Sequence, residues 1–141
     1  MVPALFLLAA TLQAAADARP ALQAPLPVDP AVRIGTLPNG LTYYVRHNAR
    51  PAKRIALRLA VKAGSVLEDE NERGLAHFLE HMAFNGSRHF RPGELVAFFE
   101  SIGARFGADA NAWTSFDETV YTLDVPTDNP GLVQKGLLAL S

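Results

Sequence analysis

The chain contains no cysteine, which rules out a disulfide framework and any thiolate metal site and leaves either redox compartment open. An excess of charge of one sign is also lacking. Thirteen basic residues against fourteen acidic ones leave a formal net charge of −1, no footprint for nucleic acid or an anionic membrane surface. There is no internal repeat and no low-complexity tract. The one long apolar run, residues 2–16, is too short to span a bilayer and remain there, and no Lys or Arg precedes it. What is present suits a folded domain: 49% hydrophobic and 19% charged residues in a chain of 141, at most one domain.

The apolar run ends in Ala14-Ala15-Ala16 and Ala16-Asp17-Ala18, both of the small-x-small form cut after a secretory signal. Residues 1–18 therefore read as a signal peptide cut after Ala16 or Ala18, the alternative being a buried N-terminal helix, and the protein as secreted or periplasmic without a stable membrane anchor. Residues 19–31 carry Pro20, Pro25, Pro27 and Pro30, which exclude a helix or a central strand and predict an extended leader. The folded domain is expected over residues 32–141. Segments 32–37 and 41–46 flank Pro38-Asn39-Gly40, a hairpin signal. In residues 54–62, Ile55, Leu57, Leu59 and Val61 alternate with Arg54, Ala56, Arg58, Ala60 and Lys62, the pattern of a strand with one buried face. Further strands are expected at 104–109 and 119–125, with 110–115 connecting them. A helix with Pro92 in its first turn and Gly103 just past its end would bury Leu95, Val96, Phe98, Phe99 and Ile102. A last helix opens at Asn129-Pro130 and runs through Leu132, Val133, Leu137, Leu138 and Leu140 to the end of the chain.

The informative stretch is Gly74-Leu75-Ala76-His77-Phe78-Leu79-Glu80-His81-Met82, which contains His-x-x-Glu-His. In a helix each residue advances about 100°, so His77, Glu80 and His81 fall within roughly 100° of arc. Two neutral imidazoles one turn apart can share a metal ion, with zinc the leading candidate. The carboxylate beside them stands where a general base would meet water activated by the metal. Leu75, Phe78, Leu79 and Met82 are expected to supply the apolar contacts of this helix, and Asn85-Gly86 a left-handed cap. Glu68, Asp69, Glu70 and Glu72 precede it and suit its positive end, as a solvated approach rather than a second metal site.

Several blocks in order, Leu37-Pro38-Asn39-Gly40-Leu41, Lys62-Ala63-Gly64-Ser65, the motif stretch, Asn111-Ala112-Trp113-Thr114-Ser115 and Glu118-Thr119-Val120-Tyr121, resemble the M16 metallopeptidase family, the pitrilysin and insulin-degrading enzyme group, in its secreted bacterial PqqL-like branch. The resemblance implies an α+β fold, an antiparallel-rich sheet with helices packed on one face. It implies a zinc-dependent endopeptidase in which His77 and His81 are zinc ligands and Glu80 is the catalytic base. Asn111, Ala112 and Trp113 match the edge segment on which a peptide substrate adds as a strand, with Trp113 lining the pocket past the scissile bond; otherwise Trp113 is a core aromatic. The family's third ligand, a Glu on a later helix, is expected beyond residue 141, and Asp117, Glu118 and Asp124 do not occupy its position. The chain therefore reads as an incomplete domain, inactive alone, whose partners are a peptide substrate and a later M16 domain of the same or a partner chain. Three rivals remain. One is a non-catalytic M16-like subunit acting as a peptide-binding or docking module, although such members lose motif residues that this chain keeps. Another is an S-ribosylhomocysteine lyase, which shares the motif but needs a Cys ligand. The third is a chance match in a binding module.

Overall fold

A computed structural model describes residues 26–141 apart from Phe106, so the expected signal peptide and most of the Pro-rich leader lie outside the described residues. The chain divides into two compact units, one ending at Asn48 and the other beginning at Ala49.

The first unit holds a hairpin of β1 (Val32–Thr36) and β2 (Thr42–Arg46), paired antiparallel with Ile34 opposite Tyr44. The Leu41 carbonyl accepts from Leu37 N–H at 2.8 Å, and the Leu37 carbonyl accepts from Gly40 N–H at 2.9 Å. Gly40 has φ +88°. Pro38-Asn39-Gly40 is thus a three-residue loop closed by a residue of positive φ, which glycine adopts without a Cβ penalty.

The second unit contains β3 (Arg54–Val61), α1 (Leu75–Asn85), α2 (Glu94–Ser101), β4 (Ala110–Thr114), β5 (Thr119–Pro126) and α3 (Pro130–Ala139). Its sheet has the order β3-β5-β4, antiparallel throughout, with Leu57 and Ala110 both opposite Leu123. The period-two pattern of β3 divides as its chemistry requires. Leu57, Leu123, Val125 and Ala110 form one buried face and join Phe90, Leu95, Phe98, Phe99 and Ala104 in the core. On the other face Arg58 pairs with Asp124 at 3.0 Å. The result is α+β with helices on one face of an antiparallel sheet, the class the resemblance implied.

Three local expectations need correction. Residues 104–109 are not a strand; β4 begins at Ala110. Gly103, at φ +69°, ends α2, and the Arg105 carbonyl then accepts from the N–H groups of Ala108, Asp109 and Ala110. The Asp109 carboxylate in turn accepts from Arg105 N–H at 3.0 Å and Arg105 Nε at 2.9 Å. These local polar bonds wind the segment into turns instead of extending it. Second, α2 begins at Glu94 with Gly93 as its N-cap, so Pro92 stands just ahead of the helix rather than in its first turn.

Third, α3 does not run to the end of the chain. Its start is as expected, with Asn129 Oδ1 accepting from Gly131 N–H at 2.9 Å and Pro130 in the first turn. The helix stops at Ala139, and Leu140 caps it. Leu137 and Leu138 are exposed, and the buried contact is Gly136. A Cβ there would stand 2.8 Å from Val125 Cγ2 and 3.2 Å from Leu57 Cδ1, so the missing side chain lets α3 lie directly on the sheet. Gly136→Ala should therefore destabilise the unit. The usual helix gain of about 1 kcal/mol is outweighed by an overpacking cost of about 1–3 kcal/mol against a stiff, fully buried valine. Denaturant unfolding measures this, and a variant more stable than the parent would contradict the close-approach argument.

Candidate metal and substrate site

The route from β3 to the motif helix is set by close backbone contact. Gly64 lies against the β4–β5 connection, where a Cβ would overlap the Ser115 carbonyl. Ser65 N–H donates to the Ser115 carbonyl at 3.1 Å and Val66 N–H to the Phe116 carbonyl at 2.8 Å. The chain then passes through two short 3₁₀ turns, Ser65–Leu67 and Glu70–Glu72.

Between those turns Glu68 caps α1. The N-cap residue of the helix is Gly74, at φ +91°, which has no side chain to serve its orphan N–H groups. Glu68 supplies the acceptors: Oε2 takes Gly74 N–H at 2.7 Å and Oε1 takes Ala76 N–H at 2.8 Å. The bonds from Ala76 and then Gly74 hold its carboxyl below the ordinary glutamate range. The acidic run before α1 thus contains one specific clamp. Composition pointed to a general match with the helix dipole, and only the fold shows which acid reaches forward to the helix.

The α1 helix turns a narrow face to the sheet. Glu80 is buried, at 7% exposure, and Ala76, Ala83 and Phe84 beside it are partly buried. Leu75, Phe78, Leu79 and Met82 do not pack into the core as expected; they stand 42–59% exposed. The helical period explains this. Residues at 76, 80, 83 and 84 share one side, and the four larger apolar residues fall on the others. The helix ends at Gly86 as expected, with φ 151° and ψ 161°, a positive φ that favours glycine but lies outside the left-handed helical region of the cap expected.

The motif side chains divide between inside and outside. Thr114, the last residue of β4, donates its hydroxyl to Glu80 Oε2 at 2.7 Å. Thr119, opposite Thr114 at the start of β5, is buried and donates to the Ala63 carbonyl at 2.9 Å. The two threonine oxygens lie 3.4 Å apart. Each hydroxyl has one proton, so with Thr119 committed to Ala63 and Thr114 to Glu80 this last approach is a packing contact. Tyr121 lies on the same face of the sheet. Its phenol is pushed above the ordinary tyrosine range, first by burial and then by the Glu80 carboxylate, so it stays protonated at neutral pH. Among the described residues Glu80 Oε1 has no hydrogen-bond partner, and no side-chain oxygen fully shielded from solvent is left without one; Oε1 therefore reaches solvent.

His77 and His81 are exposed. Their Nε2 atoms converge to 3.0 Å, with ring centroids 4.7 Å apart. Two nitrogens on one tetrahedral zinc, at the usual bond length of about 2.0–2.1 Å, stand about 3.4 Å apart, so this pair fits half of such a donor set with little adjustment. Among the described residues no group of three His, Cys, Asp or Glu side chains forms a metal-sized cluster.

The edge segment has a definite phase. At its two ends Asp124 N–H donates to the Asp109 carbonyl and Ser115 N–H to the Glu118 carbonyl. In an antiparallel ladder such pairs recur every second residue, so Asn111 and Trp113 direct their backbone groups at β5. Ala112 and Thr114 direct theirs at the open side of β4, the sheet edge among the described residues. Trp113 is 46% exposed and so is not a core aromatic; the pleat puts it and Asn111 on the face away from Glu80, while Ala112 and Thr114 share the Glu80 face.

Residues 43–140 match the family described as Insulinase (Peptidase family M16). The chain belongs to the M16 family. It is 51% identical over 107 residues to the Zinc protease PQQL-like of Arabidopsis thaliana, covering 76% of this chain and 11% of that protein. It is 42% identical over 120 residues to the Probable zinc protease PqqL of Escherichia coli (strain K12), covering 85% of this chain and 13% of that protein. The crystal structure of the periplasmic protease PqqL from Escherichia coli superposes with a TM-score of 0.78 at 42% identity, over 82% of this chain and 13% of that one. A structure of the first half of the same protease gives the same score and is 25% covered. This M16 chain thus spans about an eighth of the length of the two zinc proteases, and its fold matches the corresponding part of the solved one. Among the described residues no helix is long and apolar enough to cross a membrane.

The clamp at the head of α1 has a pH signature. Because the Glu68 carboxyl is depressed in the folded state, its stabilisation is complete above the ordinary glutamate value and is lost as pH falls through the lowered one. Glu68→Gln should lower the melting temperature by several degrees at pH 7, with the gap closing as the solution is acidified. A gap that persists unchanged in acid would show that the carboxylate charge plays no part in the cap.

Proposed function

We propose that this chain is part of a zinc-dependent endopeptidase, with His77 and His81 holding the metal and Glu80 acting as general base. The observation that carries the reading is the division of labour on α1: two imidazole nitrogens meet at 3.0 Å outside, and one carboxylate is held by Thr114 beside them. The names of the relatives, which are zinc proteases, support the same class of reaction. When bound, the metal supplies Lewis-acid polarisation and acidifies water. Glu80 takes the proton of the attacking water on Oε1 and returns it to the leaving amine, while Oε2 stays with Thr114. The open edge of β4 receives the peptide as an added strand through the backbone of Ala112 and Thr114. Asn111 and Trp113 lie on the other face of that strand, where Trp113 offers its exposed ring to substrate side chains. Two imidazoles are one ligand short of the usual three for a catalytic zinc, so the third comes from the remainder of the longer protein, as does a later M16 domain. The apolar run at residues 2–16 and the likeness to a periplasmic protease support a secreted or periplasmic site of action.

In the full-length protein Glu80→Gln should keep about one zinc per active site and lose peptide cleavage by about 10²–10⁴-fold. His77→Ala and His81→Ala should lose the zinc itself, measured by atomic absorption after dialysis. Removing the metal with a chelator should stop cleavage, and added Zn²⁺ should restore it. Cleavage by Glu80→Gln at near the parent rate would remove Glu80 from the base role.

A further inference from the structure

We infer that Thr114 is a positioning residue that sets the active oxygen of Glu80 and registers the docked peptide strand against it, an inference that rests on the reading of Glu80 as the base. Thr114 occupies a junction between the base and the sheet edge. Its hydroxyl donates to Glu80 Oε2 at 2.7 Å, and its backbone faces the open edge of β4. The hydroxyl has a single proton, so holding Oε2 leaves Oε1 as the oxygen free to accept one from water. The aim of the hydroxyl is itself fixed. Thr114 is β-branched in an extended strand, which narrows χ1, and Thr119 fills the space behind it at 3.4 Å while anchored to the Ala63 carbonyl. A carboxylate only 7% exposed and held by one short hydrogen bond cannot swing to exchange its oxygens without breaking that bond.

A peptide adding to β4 would bond the backbone of the same residue whose side chain holds the base. Thr114 therefore ties the position of the scissile bond along the strand to the position of Oε1. Displacement of a catalytic group by about 1 Å can cost about 10²-fold in rate, so a loss of this bond should appear in turnover rather than in substrate affinity.

The test is made in the full-length protein with Thr114→Val, which keeps the branched shape and removes the proton donor, Thr114→Ala, and Thr114→Ser, which restores the hydroxyl. The expected result for Thr114→Val is a fall in kcat of about 10- to 100-fold with KM changed less than about threefold and with zinc content kept, the melting temperature falling because the Glu80 carboxylate loses its donor. Thr114→Ser should recover most of the lost kcat. If Thr114→Val fails to fold, the comparison of Thr114→Ala with Thr114→Ser carries the same expectation. A Ser variant no better than the Val or Ala variant, or a loss expressed wholly in KM or in zinc content, overturns the positioning role. If Glu80→Gln is inactive while Thr114→Val turns over at the parent rate, this inference alone fails. If Glu80→Gln is itself active, the base assignment fails with it.

Discussion

A carboxylate buried against a sheet is costly unless something receives its charge, and the hydrogen bond from Thr114 to Glu80 is what receives it here. Much of the geometry of the unit follows from that one contact. Glu80 must face β4, so α1 is fixed in rotation about its axis. The helical period then turns His77 and His81 to the outer flank, where their nitrogens converge. Small neighbours at Ala76 and Ala83 let the helix lie close, which displaces the bulky Leu75, Phe78, Leu79 and Met82 to the exposed sides.

Two further constraints hold that arrangement in register. Gly64 allows the segment after β3 to run against the β4–β5 connection, with backbone bonds at Ser65 and Val66. Glu68 then reaches forward to the first N–H groups of α1. The start of the helix, the turn beyond β4 and the end of β3 are thereby tied together within a few residues. Thr119, bonded to the Ala63 carbonyl, closes the same loop from inside the sheet. The motif helix is held at its N-terminus by a carboxylate and at its middle by a hydroxyl, and both holds come from outside its own sequence.

The parts legible in the sequence were those with a short period or a short range. Alternation in β3, the hairpin loop at Pro38-Asn39-Gly40, the Asn129-Pro130 start of α3 and the spacing of His77, Glu80 and His81 all depend on near neighbours along the chain. What escaped depends on partners distant in sequence. Thr114 lies 34 residues from Glu80 and Thr119 lies 56 from Ala63, and neither pair leaves a local pattern. Leu137 and Leu138 mark the apolar residues of α3 in the sequence, whereas the close contact is made by Gly136, whose value lies in the side chain it lacks. Similarly, β4 was placed one segment early because residues 104–109 are small and apolar enough to read as strand. Their conformation is decided by the Asp109 and Arg105 bonds.

The central claim is that the two imidazoles and the carboxylate on α1 have different tasks, the rings holding metal and Glu80 handling protons. Zinc K-edge X-ray absorption on the zinc-loaded full-length protein tests it most directly, because it counts the imidazoles around the metal. The account predicts two imidazole ligands, and a first coordination shell unaltered when Glu80 is replaced by Gln. A shell with fewer than two imidazoles, or one that loses an oxygen ligand in that variant, would contradict it.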